Sequence, residues 1–413
     1  MYLKRIIEEK IKDYLKIYGA IYIQGPRACG KTTTSKLFSK SNIILKKDPI
    51  LLDKLANNYD LVLEGAKPKL IDEWQLLPSL WDYVKVEVDE QKKKGLYILC
   101  GSSAPEYEAD RHSGAMRIGR IKMTTLTISE KKDTTKEVNF YDLISKKEEK
   151  ITGNKPYQFS KYLKHILQGG WPSLIGLQQQ LINTVLADYL ENIADVDMRN
   201  IAHRPSKERT LALISALAKN VSSNITFEKL SKEAKIIDST KTVRNYLDLF
   251  NRIFLIFELP AWKQYARSSV QAKTNPKYYF SDVSLACNCL HLSEEKLNEE
   301  KDILGMLFEN LAIHDLMVYA DLYNGKCFYY RDNSQLEVDL IIEMPNGEWS
   351  AFEIKLGSKT GIDDAVNSLK RLKQKISLAK WEKLISLNII TAGETSYTRE
   401  DGINVVALGH LYC

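Results

Sequence analysis

Cysteine is scarce in this chain, with six in 413 residues. Only Cys287 and Cys289 lie close together, which is neither a disulfide framework nor the paired spacing of a zinc site. An apolar leader is also lacking, because the first residues, MYLKRIIEEKIKDYLKIYG, are charged throughout. No uninterrupted apolar run reaches the roughly 18 residues of a membrane span. We therefore expect a cytoplasmic protein without a membrane segment.

A strong charge of either sign is absent as well. The net charge is +6 with a pI near 8.7, which permits a polyanionic partner without requiring one. The chain is 44% apolar and 27% charged, a globular balance that excludes wholesale disorder. It contains no internal repeat or low-complexity tract, and its length suits two to four domains.

The first 130 residues alternate short apolar runs with helix-compatible segments. This rhythm predicts an α/β domain with a mostly parallel sheet. The runs that predict strands are AIYIQG, SNIILKKD, KLIDE, GLYILCGSS and RIKMTTL. Residues 131–160 are polar and rich in lysine, so they are expected to form a solvated linker.

A phosphate-binding motif, G-x-x-x-x-G-K-[ST], stands between the first strand and a helix-compatible run. Backbone N–H groups of such a loop face phosphates at the start of a helix. Lys31 is expected to reach the β- and γ-phosphates and Thr32 to ligate Mg²⁺. The predicted nucleotide-binding loop is Gly25, Pro26, Arg27, Ala28, Cys29, Gly30, Lys31, Thr32 and Thr33.

An acidic pair follows the strand KLIDEW. Asp72 is predicted to hold Mg²⁺ and Glu73 to polarise the attacking water as general base. A further apolar strand ends at Ser102 and Ser103. Ser103 is a candidate sensor of the γ-phosphate, with a helix cap as the alternative.

Five stretches together resemble the AAA-type ATPases of a widespread prokaryotic family with a C-terminal domain of unknown function. They are GPRACGKTT, LIDEWQLLPSLW, CGSSAPE, SGAMRIGRI and RDNSQLEVDLI. The resemblance implies ATP binding, and it compares Arg117 and Arg120 with arginines that face nucleotide. Action within one chain, action across a subunit contact and a plain surface role all remain open for these arginines.

The middle of the chain has helical periodicity, followed by short strands, in the order of a winged helix. Asp238 or Ser239 is expected to cap the second helix of the motif. With its apolar stripe inward, that helix projects Lys241, Arg244 and Asn245 outward, where they suit phosphate or base contacts. A protein-binding helical module remains the alternative. Lysines and arginines expected to extend the positive surface are Lys263, Arg267, Lys273 and Lys277.

The stretch VDLIIEMPNGEWSAFEIKLG predicts a β-hairpin. Pro345, Asn346 and Gly347 suit a three-residue loop. That register places Asp339 opposite Glu353 and on the face of Lys355, away from an apolar face of Val338, Leu340, Ile342, Phe352, Ile354 and Leu356. Two acids and a lysine in this arrangement suit metal-dependent phosphodiester cleavage, with Asp339 and Glu353 as metal ligands.

A third acid, Glu309, stands among apolar neighbours of a predicted helix around Leu304–Leu322, where an unpaired carboxylate is costly. Glu309, Asp339 and Glu353-Ile354-Lys355 resemble the PD-(D/E)xK nuclease superfamily, with Val338 where that motif often has proline. The resemblance implies a restriction-endonuclease-like α/β fold and Mg²⁺ or Mn²⁺ as cofactor. Strand salt bridges or a binding domain without cleavage activity remain alternatives.

The sequence therefore predicts four segments: a P-loop ATPase domain at 1–130, a linker and helical region at 131–205, a winged-helix-like domain at 206–275 and a nuclease-like domain at 276–413. ATP or ADP and DNA are the expected partners, and an oligomer or a protein partner stays open. Three functions compete: an ATP-regulated DNA nuclease, an ATP-dependent DNA-binding switch that no longer cuts, and an ATP-dependent protein-binding scaffold.

Overall fold

The structure is a computed structural model of the chain. It describes residues 2–46, 48–101, 114–147, 150–197, 206–235, 240–262 and 275–413.

The N-terminal sheet has five strands, all parallel, in the order β2-β3-β4-β1-β5. All five predicted apolar runs form strands, because each is short, apolar and bounded by polar or glycine residues. The central strands β1, β3 and β4 are fully buried, as expected where helices cover both faces. The strands are β1 Ala20–Gln24, β2 Ser41–Ile44, β3 Lys69–Asp72, β4 Tyr97–Gly101 and β5 Ile118–Lys122.

Helices cover both faces of this sheet. Alternate residues of β1 separate the two cores: Tyr22 packs with Trp74 and Trp81, whereas Ile21 packs with Ile11 of the first helix. A 3₁₀ turn at Trp74–Leu76 follows β3. The helices are α1 Ile7–Ile17, α2 Lys31–Lys36, α3 Pro49–Ala56, α4 Asp60–Leu63 and α5 Leu80–Gln91.

The middle region is mainly helical. Three of its helices are followed by an antiparallel pair of strands, in which Ile256 pairs with Phe280. Ser206 and Thr226 cap two of the helices through their side chains. The predicted caps Asp238 and Ser239 lie outside the described residues. The elements are α6 Phe140–Ser145, α7 Phe159–Gln168, α8 Gln179–Asn192, α9 Lys207–Lys219, α10 Phe227–Glu233, α11 Thr240–Arg252, β8 Ile256–Leu259 and β9 Lys277–Phe280.

The C-terminal sheet has seven strands in the order β10-β11-β12-β13-β15-β14-β7. Strands β10, β11 and β12 form an antiparallel meander, and β13 and β15 continue parallel to β12. A separate short pair joins β6 and β16. The strands are β6 Val138–Asn139, β7 Thr152–Gly153, β10 Lys326–Arg331, β11 Glu337–Glu343, β12 Trp349–Lys355, β13 Leu384–Thr391, β14 Ser396–Thr398, β15 Asn404–Ala407 and β16 Leu411–Tyr412.

The prediction that residues 131–160 form a solvated linker is wrong. Strand β7 adds an edge strand to the C-terminal sheet, and β6 pairs with β16 at the end of the chain. Phe140 and Leu143 of α6 are almost completely buried, and Ser350 of β12 donates a hydrogen bond to the Leu143 carbonyl. A few apolar positions between the lysines therefore anchor this segment.

The remaining helices flank the C-terminal sheet. They are α12 Val283–Cys289, α13 Glu294–Glu299, α14 Lys301–Leu322, α15 Lys359–Lys375 and α16 Leu378–Trp381. Helix α14 has the length and composition of a membrane span, but 67% of its apolar window is buried inside the fold. Its buried residues belong to one core that runs from Ile128 to Leu411. The middle region and the C-terminal sheet therefore share their largest core.

Candidate nucleotide site and acid cluster

The phosphate loop lies at the carboxyl end of β1, in the centre of the parallel sheet. A side chain at Gly25 is excluded, because a Cβ there would lie 1.8 Å from the Met123 carbonyl oxygen. Gly30 has φ 101°, in the left-handed region, and immediately precedes α2. Arg27, Ala28 and Thr33 are exposed, whereas the other loop side chains are at least partly buried: Pro26, Cys29, Lys31 and Thr32.

The loop and the β3 carboxylate meet directly. The Thr32 hydroxyl donates a hydrogen bond to an oxygen of Asp72 at 2.6 Å. The Lys31 ammonium folds back onto the loop and donates to the carbonyls of Gly25 (2.9 Å) and Pro26 (2.7 Å). Three polar groups expected from the sequence to act on a nucleotide therefore lie at one edge of the sheet.

Glu73 follows Asp72 with φ 55°, an uncommon left-handed conformation for a residue with a large side chain. Its carboxylate accepts a hydrogen bond from the side-chain amide of Gln75, two residues further along the chain. Strained backbone of this kind is concentrated at functional sites. This conformation turns the chain from β3 into the 3₁₀ turn at Trp74–Leu76.

A buried ion pair that sequence reasoning missed lies beneath the loop. Arg5 donates from Nε to Glu130 at 3.0 Å, and both side chains are nearly inaccessible, at 3% and 1% exposure. The same guanidinium donates to the Cys29 carbonyl of the phosphate loop at 2.8 Å and to the Thr124 carbonyl at 2.7 Å. Arg5 therefore ties the N-terminal segment, the phosphate loop and the chain after β5 together.

Neither predicted nucleotide-facing arginine lies at the phosphate loop of its own chain. Arg117 precedes β5 at the amino-terminal end of the parallel sheet, opposite to the loop, and pairs with Asp89 at 2.7 Å. Arg120 lies mid-strand, with its guanidinium 5.8 Å from the ring centre of Trp81. Their positions therefore do not support action on the phosphate loop within one chain, whereas action across a subunit contact and a plain surface role both stay open. Ser103 lies outside the described residues.

The C-terminal hairpin has the predicted register. Leu340 pairs with Phe352 and Glu343 with Trp349, so one step further Asp339 stands opposite Glu353. The Met344 N–H donates to the Glu348 carbonyl and the Gly347 N–H donates to the Met344 carbonyl, which closes the three-residue loop, and Gly347 takes φ 81°.

The ammonium of Lys355 bridges the two acids of the hairpin, at 2.7 Å from Glu353 and 3.3 Å from Asp339. Asp339 also accepts from the backbone N–H of Ile354 at 2.8 Å. The structure thus brings together the three polar residues that the hairpin pattern singled out.

The prediction that Val338 lies on the same apolar face as Leu340 is wrong. Tyr330 pairs with Val338 and Phe328 with Ile341, so β11 carries an extra residue between the two pairs. This bulge turns Val338 into the core that contains Ile341, away from that of Leu340.

Glu309 of α14 joins the hairpin acids through a residue from another part of the chain. The Lys277 ammonium, at the start of β9, lies 3.3 Å from Glu309, 2.5 Å from Glu337 and 3.7 Å from Asp339. The Tyr279 hydroxyl donates to the same Glu309 oxygen at 2.8 Å. We call this group the acid cluster: Lys277, Tyr279, Glu309, Glu337, Asp339, Glu353 and Lys355.

The prediction that Lys277 adds to an exposed positive surface is therefore wrong. Lys277 is 1% exposed, and the surrounding carboxylates offset the cost of taking its ammonium out of water. Lys263, Arg267 and Lys273, named for the same surface, lie outside the described residues. Glu337 and Tyr279 were missed as members of the site. The signal that could have found them is the i, i+2 spacing, which pairs Glu337 with Asp339 on one strand and Tyr279 with Lys277 on another.

The acids of the cluster differ in proton affinity. Burial raises the pKa of Glu309 to about 7, although the Lys277 ammonium opposes this shift. Burial and the neighbouring Asp339 charge raise the pKa of Glu353. For Asp339 burial acts in the same direction, but Lys355 and Lys277 outweigh it and lower the pKa. Of these three acids, Asp339 is therefore the one held most firmly in its charged form.

The lysines also determine what the cluster can ligate. Within the described ranges, no group of three or more His, Cys, Asp or Glu side chains is arranged to hold a metal ion. The carboxylates of Asp339 and Glu353 point at Lys355, and those of Glu309 and Glu337 point at Lys277. The predicted metal ligands Asp339 and Glu353 therefore lie together, but their carboxylates contact ammonium groups.

The outward face predicted for the second helix of the winged-helix pattern is present on α11. Val243, Leu247 and Phe250 are buried, whereas Lys241, Arg244 and Asn245 are exposed.

Three domain families match successive parts of the chain. Residues 18–132 match an AAA domain, residues 160–296 match a domain of unknown function (DUF8612), and residues 304–411 match another domain of unknown function (DUF4143). The first match covers the parallel sheet, the phosphate loop and the acidic end of β3. The N-terminal domain is therefore an AAA-type P-loop ATPase domain, a kind of domain whose match here supports nucleotide binding at the phosphate loop.

Relatives and solved structures are distant. Uncharacterized proteins of Mycobacterium tuberculosis (Rv2008c) and Mycobacterium bovis (Mb2031c) are each 23% identical over 354 residues, covering 84% of this chain and 73% of the relative. The Walker-type ATPase PABY2304 of Pyrococcus abyssi has a TM-score of 0.43 at 11% identity, with 70% of this chain and 96% of that chain covered. The Holliday junction branch migration motor RuvB of Thermotoga maritima has a TM-score of 0.27 at 14% identity, with 62% and 89% covered.

Proposed function

We propose that this protein binds ATP with Mg²⁺ at the phosphate loop, hydrolyses it, and acts on DNA through its middle and C-terminal regions. The observation that carries the nucleotide part is the 2.6 Å contact between the Thr32 hydroxyl and the Asp72 carboxylate. One oxygen ligand from the start of α2 and one from the end of β3 converge there, beside the ammonium of Lys31.

The donor set at this edge fits Mg²⁺, which prefers hard oxygen ligands and binds few protein groups directly. Thr32 and Asp72 would hold the ion. When bound, Mg²⁺ neutralises phosphate charge and fixes the orientation of the β- and γ-phosphates.

The chain's own residues supply the remaining roles. Lys31, which donates to two loop carbonyls, would exchange them for phosphate oxygens. Glu73 would accept a proton from the attacking water as general base, held in orientation by Gln75. The exposed loop residues Arg27, Ala28 and Thr33 would contribute backbone N–H groups to the phosphates.

ATP titration and turnover assays test this assignment with three variants. Lys31→Ala should weaken ATP binding at least tenfold, and Glu73→Gln should spare binding while slowing turnover by about 100-fold. Lys36→Ala, an exposed lysine on the same helix, is the matched control and should behave as wild type. A wild-type protein that binds neither ATP nor ADP in calorimetry would refute the proposal.

Action on DNA is supported by the exposed side chains of Lys241, Arg244 and Asn245 on α11. Phosphate contacts by the two cations should make affinity fall steeply with salt. The double variant Lys241→Ala, Arg244→Ala should weaken duplex binding and flatten the salt dependence by up to two counterions. Removal of two exposed lysines from α1, Lys12 and Lys16, is the charge-matched control. Equal losses in both double variants would mean that α11 has no specific role.

Metal-dependent DNA cleavage by the C-terminal domain is supported by the convergence of Glu309, Asp339, Glu353 and Lys355. The second candidate function is an ATP-dependent DNA- or protein-binding switch with a nuclease-like domain that does not cut. The ammonium of Lys277 among the carboxylates favours this second candidate.

Cleavage of duplex, branched and single-stranded DNA with Mg²⁺ or Mn²⁺ decides between the two. If the domain cuts, Asp339→Ala should abolish cleavage and leave ATP turnover unchanged. If no DNA is cut under any of these conditions, the switch is the better description.

A further inference from the structure

The acid cluster contains a cation, Lys277, that is not part of the Glu309, Asp339 and Glu353-Ile354-Lys355 pattern. Lys277 belongs to β9, a strand paired with β8 outside the seven-stranded sheet. Its side chain is 2% exposed and reaches between α14 and β11. Asn310, next to Glu309 on α14, donates to and accepts from the backbone of Phe280, with both bonds at 2.9 Å. Strand β9 is thereby held against the helix that carries Glu309.

Distances place this ammonium where carboxylates from two elements converge. It lies 2.5 Å from Glu337, 3.3 Å from Glu309 and 3.7 Å from Asp339. The second lysine, Lys355, lies on the other side of Asp339 and also contacts Glu353. Four carboxylates thus surround two ammonium groups, and Lys277 is bonded to oxygens of α14 and β11 at once.

An ion and an ammonium cannot share this position. A divalent ion ligated by Glu309 and Asp339 would take the same oxygen atoms that Lys277 contacts, and the two cations would repel each other at a separation of a few ångströms. The ammonium has an advantage over an ion from solution, because it is tethered to β9 and is already out of water.

We propose that Lys277 is a built-in cation that occupies the acid cluster in place of a divalent metal ion and so prevents metal binding in this conformation. The inference rests on the proposed nuclease-like site, but it concerns metal binding alone. It predicts that Mn²⁺ binds only when the Lys277 side chain is removed or withdrawn.

Manganese binding to the full-length protein without nucleotide, measured by electron paramagnetic resonance and calorimetry, tests the proposal. Wild type should bind no Mn²⁺ at the cluster up to about 1 mM, so its dissociation constant there lies above that concentration. Lys277→Met should gain one site whose dissociation constant is at least about 100-fold below this limit. The double variant Lys277→Met, Asp339→Asn should lose the gained site. Lys326→Met, which removes an exposed lysine from β10, should behave as wild type.

A second measurement guards against poor folding of Lys277→Met, whose buried acids lose their counter-charge. Mn²⁺ should raise the thermal midpoint of this variant relative to EDTA, and should leave wild type and the double variant unchanged. If Lys277→Met gains no Mn²⁺ binding and no Mn²⁺-dependent stability, or if wild type already binds Mn²⁺ at the cluster below 1 mM, the proposal is overturned.

These readouts are separate from those of the proposed function. ATP turnover and DNA cleavage are absent from the metal test, so a protein without any nuclease activity can still gain the manganese site. Conversely, failure to gain the site overturns the role of Lys277 and leaves ATP binding at the phosphate loop untouched.

Discussion

Replacing Arg5 by Met should strongly destabilise the N-terminal domain. The substitution keeps much of the apolar stem but removes the guanidinium that contacts Glu130 at 3.0 Å and the Cys29 carbonyl at 2.8 Å. Glu130 would keep its backbone donors, Ile6 N at 2.7 Å and Thr127 N at 2.9 Å, but would lose the cation that it pairs with. Removing one partner of a buried pair costs about 3–5 kcal/mol, because the other charge stays buried and uncompensated.

Urea unfolding followed by tryptophan fluorescence and circular dichroism measures this loss. With a slope of about 2 kcal/mol per molar urea, a loss of about 4 kcal/mol lowers the midpoint by about 2 M. The double variant Arg5→Met, Glu130→Gln should lose less than the sum of the two single variants, since it leaves no buried charge unpaired. Lys4→Met is the control, because Lys4 pairs with Glu9 on the exposed surface.

A loss below about 1 kcal/mol for Arg5→Met, the size expected of an exposed pair, would refute this reasoning. It would mean that the carbonyls of Cys29 and Thr124 and the N–H donors around Glu130 are satisfied equally well without the guanidinium. The expected destabilisation should be accompanied by weaker ATP binding, because the same side chain holds the phosphate loop from below.

Two further predictions concern stability. Burial and the nearby Lys131 ammonium lower the pKa of His165 to about 4. The unfolded chain therefore gains a proton on this side chain below about pH 6.5, whereas the folded protein gains it only near pH 4. The contribution of His165 to stability should be full above pH 6.5, and the free energy of unfolding should fall by about 3 kcal/mol toward pH 4. Urea midpoints between pH 4.5 and 7 should vary less in His165→Gln, and parallel curves for both proteins would contradict this. Gly305→Ala in α14, where a Cβ meets open space, should stabilise the protein by about 0.5–1 kcal/mol and raise the thermal midpoint. Gly170→Ala should destabilise it by about 1–3 kcal/mol or more and lower the midpoint, because the new Cβ would lie 2.1 Å from the Leu126 carbonyl oxygen. Equal midpoints for the two glycine variants would contradict the second prediction.

Short-range rules accounted for the parts of both sites that lie within one motif. The phosphate loop needs glycine where Met123 approaches Gly25 and where Gly30 takes a left-handed conformation, and the motif records both requirements. The hairpin register follows from a three-residue loop and from alternating burial, which together leave one pairing for Asp339 and Glu353. One extra residue in β11 places Val338 on the opposite face of the sheet from Leu340, and the local sequence contains no signal for this bulge.

The residues that the sequence could not identify are charged side chains whose partners lie far along the chain. Arg5 and Glu130 are 125 positions apart, and Lys277 and Glu309 are 32 apart. In a sequence such a residue is indistinguishable from a solvated surface charge, since the cost of burial is met only by the partner that folding brings to it. That is why Lys277 was expected on a DNA-facing surface and lies instead among carboxylates. The identity of its partners changes the meaning of the C-terminal motif, because acids that would otherwise be free to hold a metal ion are already neutralised from another strand.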